Sequence, residues 1–75
     1  MKDLIEYIAC SLVTNPEAVK VTESKNDRTT ILELSVAPED MGKVIGKQGR
    51  IARSIRTVLK AYATKNKEKA SLDIV

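Results

Sequence analysis

Gly46 and Gly49 stand three apart in the run Val44-Ile45-Gly46-Lys47-Gln48-Gly49-Arg50-Ile51. Glycine at both ends lets a short loop take backbone angles that other residues resist. With no side chain at either end, a phosphate can approach the backbone N–H groups. The second glycine also stands where a helix would open, and free N–H groups and the dipole at a helix start favour an anion. Lys47 and Arg50 add positive charge at the same spot. A phosphate-sized anion site between two helices is one use of this pattern. A tight turn between packed helices is the other. A nucleotide-hydrolysing phosphate loop needs wider glycine spacing followed by Lys and Ser or Thr. Here Arg50 and Ile51 follow the second glycine, so that chemistry has no support.

The charge around the loop is one-sided. Residues 41–60 hold Lys43, Lys47, Arg50, Arg53, Arg56 and Lys60 and no acid, out of 13 basic and 10 acidic residues in the chain. A basic centre on a near-neutral scaffold suits a polyanion. A solvated charged face gives the same composition. Catalysis has little to work with, because no nucleophile–base pair is visible. With no histidine and Cys10 as the one cysteine, neither an internal disulfide nor a metal site is expected. No cofactor is expected either. No apolar run approaches the ~20 residues of a membrane span. The start of the chain carries Asp3 and Glu6 and lacks a signal-peptide stretch, so a cytoplasmic protein is expected.

Elements must hold the loop in place. Residues 2–13 show an amphipathic helical pattern through Leu4, Ile5, Ile8, Ala9, Leu12 and Val13, stopped by Asn15-Pro16. Residues 18–24 alternate around Val19 and Val21. Residues 25–28 supply a turn, and 29–37 alternate with Leu32, Leu34 and Val36 inward, which together predict a β-hairpin. Pro38, with Glu39 and Asp40 after it, marks a helix start, and Gly46 ends that helix after about two turns. The longest helix is predicted over 50–65. Ile51, Ile55, Val58, Leu59 and Tyr62 line one side, and Arg50, Arg53, Arg56 and Lys60 share a third of the circumference opposite. A polar loop at 66–69 precedes a last strand at 71–75. The two helices between the second and third strands form a crossover. That connection favours parallel pairing of those strands, with the helices on one face.

With the order α-β-β-α-α-β and this glycine loop, the chain resembles a type II KH domain. The stretch Met41–Arg56, containing Met41-Gly42-Lys43-Val44-Ile45-Gly46-Lys47-Gln48-Gly49-Arg50-Ile51-Ala52-Arg53, is similar to the small bacterial single-KH proteins of the KhpA family. The resemblance covers almost the whole chain. It implies an α+β fold, a three-stranded sheet with three helices packed on one face, and a single stand-alone domain over residues 1–75. The implied function is non-catalytic: an RNA chaperone or post-transcriptional regulator that holds short single-stranded RNA over the loop. The KH module clamps four backbone nucleotides at its Gly-x-x-Gly loop. One groove wall would be the helix of Pro38–Ile45, the loop and the start of the long helix. The other would be the sheet edge and a variable loop. The RNA-binding set expected on this basis is Lys43, Val44, Gly46, Lys47, Gln48, Gly49, Arg50, Ile51 and Arg53. The family also pairs, as homodimers or with a larger partner, KhpB, that carries its own KH domain.

Several residues keep a second use. Val44, Ile45, Ile51 and Ile55 suit a core as well as base contacts, since one face of each helix must be buried. Arg56 and Lys60 suit a solvated helix face. Two tyrosines, Tyr7 and Tyr62, are too few for a stacking platform. Tyr62 falls on the apolar stripe and is expected in the core or an interface, and Cys10 is expected to pack as a small hydrophobe. A rival of another class is a dimerisation module with a KhpB-like partner, in which RNA is incidental. Its mark would be an apolar patch left over around Tyr62 and the first helix. A DNA-binding helix-turn-helix fits the strands and the two-glycine turn poorly.

Overall fold

The computed structural model describes residues 1–75. Six elements follow the expected order: α1 (Lys2–Leu12), β1 (Lys20–Asn26), β2 (Thr29–Ser35), α2 (Met41–Ile45), α3 (Arg50–Lys65) and β3 (Lys69–Ile74). Short 3₁₀ turns at Pro16–Ala18, Pro38–Asp40 and Lys47–Gly49 lead into β1, α2 and α3. The sheet order is β1-β2-β3. β1 and β2 pair antiparallel from Lys20↔Ser35 to Asn26↔Thr29. β2 and β3 pair in parallel from Thr29↔Lys69 to Leu34↔Ile74, as the two-helix crossover requires. The α+β architecture, a three-stranded mixed sheet with three helices, is that of the type II KH fold.

Alternation along β2 decides which face is covered. Thr30, Leu32 and Leu34 are buried, whereas Glu33 is exposed. Their register partners continue the buried side, with Val21 opposite Leu34 on β1 and Leu72 opposite Leu32 on β3. These strand residues meet Ile5 and Ala9 of α1, Val44 of α2, and Ile55 and Leu59 of α3 in one core. The opposite face, with Thr22, Glu33 and Asp73 in one cross-strand row, is polar.

Several element ends shift: α1 closes at Leu12, β2 at Ser35 and β3 at Ile74, and α2 becomes α-helical only at Met41, after the 3₁₀ turn at Pro38–Asp40. β1 begins at Lys20 rather than 18, because the proline-led 3₁₀ turn at Pro16–Ala18 occupies the approach. It then runs on to Asn26, leaving Asp27 and Arg28 as the turn, with Asp27 at φ 58°. β3 begins at Lys69, two residues early, and its first backbone N–H donates to the Arg28 carbonyl at 3.4 Å. The face of α3 also differs from the expectation. Its buried residues are Ala52, Ile55, Leu59 and Ala63. Val58 and Tyr62 are 47% and 43% exposed, so Tyr62 is not core. Two alanines let α3 sit close to its neighbours, and the larger residues expected inward are rotated to a flank. Cys10 is half-buried.

Candidate nucleic-acid interface

α2 stops at Ile45, and the Gly46 N–H closes its last turn on the Gly42 carbonyl at 2.8 Å. Gly46 then turns to φ 76°, ψ 175°. A Cβ there would stand 2.5 Å from Ile51 Cγ1, so both the dihedral and the space demand glycine. Gln48 (φ 57°, ψ 25°) and Gly49 (φ 73°, ψ 16°) are two consecutive left-handed residues. The Gly49 N–H donates back to the Gly46 carbonyl at 3.1 Å. α3 opens immediately afterwards, and no side chain caps it. The Arg50 N–H donates to the Lys47 carbonyl, and no side chain caps the N–H groups that follow it, where the helix dipole favours an anion.

The side chains around this turn divide cleanly. Lys47, Gln48, Arg50 and Arg53 are exposed, Gly46, Gly49 and Ile51 half-buried. An Arg50 guanidinium nitrogen lies 3.4 Å from Gln48 Oε1, which brings the two residues together over the loop. Lys43 is exposed one helix turn before the loop and pairs with Asp40 at 3.4 Å. Val44 is 0% exposed within the core, so of its two uses the structure gives it packing, and it has no surface to offer a base. Ile55 is likewise core, whereas Ile45 stays at the surface.

Farther along α3, β3 borders the same basic flank. Arg56 on α3 donates its Nε–H to the Leu72 carbonyl of β3 at 3.1 Å. Around that bond lies a depression floored by Leu59, Ala70 and Leu72 and rimmed by Arg56, Lys60 and Ser71. β3 is an edge strand, so its outer backbone groups border this space. At about 100° per residue, Arg53, Arg56 and Lys60 lie on the flank of α3 toward β3, and Val58 and Tyr62 on the opposite flank. The basic stripe of α3 thus starts beside the glycine turn and follows the sheet edge.

Two residues matter in ways the sequence did not signal. Asp40 was expected only as a first-turn acid, yet its carboxylate is fully buried. It accepts hydrogen bonds from the Thr14 hydroxyl (2.7 Å), the Thr14 N–H (3.1 Å) and the Asn15 N–H (3.0 Å). The Thr14 hydroxyl is the strongest influence holding its pKa down, to about 2. The two backbone N–H groups and Lys43 act the same way, against burial, which raises it. The carboxylate fastens the exit of α1 to the start of the helix that carries the loop. Arg56 is the other, tied to a carbonyl sixteen residues away. Nothing local to either residue names its partner.

The family model described as the KH domain of KhpA/KhpB matches residues 2–74. Curated relatives are alike over the whole chain. The RNA-binding protein KhpA of Clostridium perfringens is 59% identical over 75 residues, all of both chains, and that of Clostridium acetobutylicum is 57% identical over the same span. The RNA-binding protein KhpA of Aquifex aeolicus is 47% identical over all of this chain and 95% of its own. No solved structure matches.

Proposed function

The chain belongs to the KhpA/KhpB KH-domain family, and on that premise we propose that it is a non-catalytic RNA-binding protein. It holds short single-stranded RNA over the Gly46–Gly49 turn. The observation that carries this reading is the turn itself. Two left-handed residues in succession, and a glycine with no room for a Cβ, open the backbone just before an uncapped helix start. Lys47 and Arg50 neutralise phosphates at that point, Gln48 donates beside them, and the backbone at Gly46 and Gly49 lets the strand come close. Lys43 and Arg53 supply charge on either side, and Ile51 offers the half-buried apolar contact for a base. Residues 1–75 act as one domain. The expected setting is the cytoplasm, with a role as chaperone or post-transcriptional regulator. The names printed for the curated relatives, RNA-binding proteins, support the RNA assignment.

A second activity, pairing, is favoured by a separate observation. Val58 and Tyr62 are exposed on the flank of α3 away from the β3 edge, and Ile45 is exposed on α2. Exposed apolar side chains of this kind suit a second copy or a KhpB-like partner, and those of Val58 and Tyr62 leave the groove free. Pairing would multiply a weak four-nucleotide grip by raising effective concentration on longer strands.

The test of the RNA assignment is the double variant Lys47→Asp/Gln48→Asp. Both side chains are exposed, and aspartate tolerates the left-handed dihedral of Gln48. Circular dichroism should show the fold unchanged, while titration with single-stranded RNA should show binding nearly abolished. A folded variant with unchanged affinity would take the glycine turn out of the RNA path.

A further inference from the structure

The depression beside Arg56 does not end at Lys60. A second hollow shares Lys60 and Ala70 with the first and runs to Thr64, Glu68 and Lys69. A third shares those last three residues and reaches Arg28 and Lys67. The three adjoining hollows form a row, a shallow channel that leads from the middle of α3 to the β1–β2 turn. Cations run along it: Arg56 and Lys60 at the end toward the glycine turn, Lys69 between, and Arg28 and Lys67 at the far limit. The one acid lining the channel, Glu68, is neutralised by Lys25, whose Nζ lies 3.4 Å from its carboxylate. Neither Arg28 nor Lys67 has an ion-pair partner. Their positions are held by the backbone. Asp27 and Lys67 take left-handed dihedrals, and the Lys69 N–H joins the α3–β3 loop to the Arg28 carbonyl.

We propose that the RNA track continues past the glycine-turn grip along this channel and ends on a second phosphate contact made by Arg28 and Lys67. The inference rests on the RNA-binding reading above. The sixteen residues of α3 span about 24 Å at a rise of about 1.5 Å per residue. A stacked strand advances about 3.4 Å per nucleotide, so about eight nucleotides cover the distance and four do not. A polyanion suits these hollows because their unpaired charges share one sign along the whole row, from Arg56 and Lys60 through Lys69 to Arg28 and Lys67, with Leu59, Ala70 and Leu72 as an apolar floor at the Arg56 end.

The experiment compares wild type, Arg28→Gln/Lys67→Gln and the charge-matched control Lys2→Gln/Lys20→Gln, each titrated with tetra- and octanucleotides of single-stranded RNA. Lys2 lies on α1 and Lys20 starts β1, both outside the channel. The channel variant should bind the octanucleotide roughly tenfold more weakly, two exposed ionic contacts being lost. Its tetranucleotide affinity should change less than about twofold, as should the control's affinity for either strand. Equal weakening on both strands, or equal weakening in the control, would reduce the cluster to a general field and overturn the proposal. So would an octanucleotide affinity that the channel variant leaves unchanged. If wild type binds neither strand, the RNA-binding reading itself fails, a result distinct from these. Thermal melts of all three proteins establish that the comparison is among folded molecules.

Discussion

The Thr14 hydroxyl donates a 2.7 Å hydrogen bond to Asp40, twenty-six residues away and directly before the helix that ends at the glycine turn. With the N–H groups of Thr14 and Asn15 on the same carboxylate, the bond fixes where α2 starts relative to α1. The ionised form is the one held, since the pKa is lowered from 3.8 to about 2. A depressed carboxylate contributes stability above its unfolded pKa and loses it as pH falls through the folded one. Asp40→Asn should therefore melt at lower temperature than wild type at pH 7. The difference should shrink as pH falls from about 4 to about 2. A gap independent of pH across that window would show that charge on Asp40 is not what the Thr14–Asn15 segment holds.

The three glycines should respond differently to alanine. Gly46→Ala meets both a positive φ and Ile51 at 2.5 Å, and should cost more than about 2 kcal/mol. Gly49→Ala meets open space but a φ of 73°, and should cost about 1–2 kcal/mol, with Gly49→Asn less harmful. Gly42 lies inside α2, and a Cβ added there meets nothing within 4 Å, so Gly42→Ala should stabilise by roughly 0.5–1 kcal/mol. Urea denaturation gives the ranking, and a Gly46→Ala no worse than Gly49→Ala would refute the close-approach explanation.

Arg50 stands over the turn within 3.4 Å of Gln48. RNA affinity should fall steeply with salt as counterions are released. Arg50→Ala should flatten the slope of log affinity against log salt by about 0.7, the value for one contact to a single strand. An unchanged slope assigns Arg50 to the solvated face of α3.

Pairing and RNA binding should separate by mutation. Val58→Ser/Tyr62→Ser removes the exposed apolar side chains of one flank without adding charge. Sedimentation should show self-association weakened at least about tenfold, given the apolar area removed. Tetranucleotide affinity should stay within about twofold. Self-association untouched by the substitution would place the interface elsewhere.

The order of elements was legible because each is marked locally. Pro16 and Pro38 stop and start segments, alternation in 29–36 identifies a strand, and the spacing of Ile55 and Leu59 identifies a helix. Parallel pairing of β2 with β3 followed from the crossover between them. The parts that were not legible depend on residues distant in sequence or on size. Ala52 and Ala63 face inward because small side chains permit close packing, and Val58 and Tyr62 are displaced outward in consequence. Whether Val44 serves the core or a base contact depends on how α2 packs on the sheet, which no local pattern carries. At the site, Lys47, Gln48, Arg50 and the glycines form a contiguous motif and could be read together. Asp40 with Thr14, and Arg56 with Leu72, are bonded pairs across the fold, and no spacing rule reaches that far.

The parallel pairing has a consequence in time. Thr29 of β2 finds Asn26 across a two-residue turn but Lys69 only after forty intervening steps along the chain. Closing the longer loop costs more entropy, and non-local pairing slows folding. The hairpin is therefore expected to zip first, and β3 to dock once α2 and α3 have condensed over it. On the proposed site β3 is also the wall that turns a basic helix into a groove, so RNA binding is expected to appear only once β3 docks. Pulse-labelled hydrogen exchange during refolding should protect the hairpin amides ahead of those of β3. Simultaneous protection would mean that the groove is built in one step with the sheet.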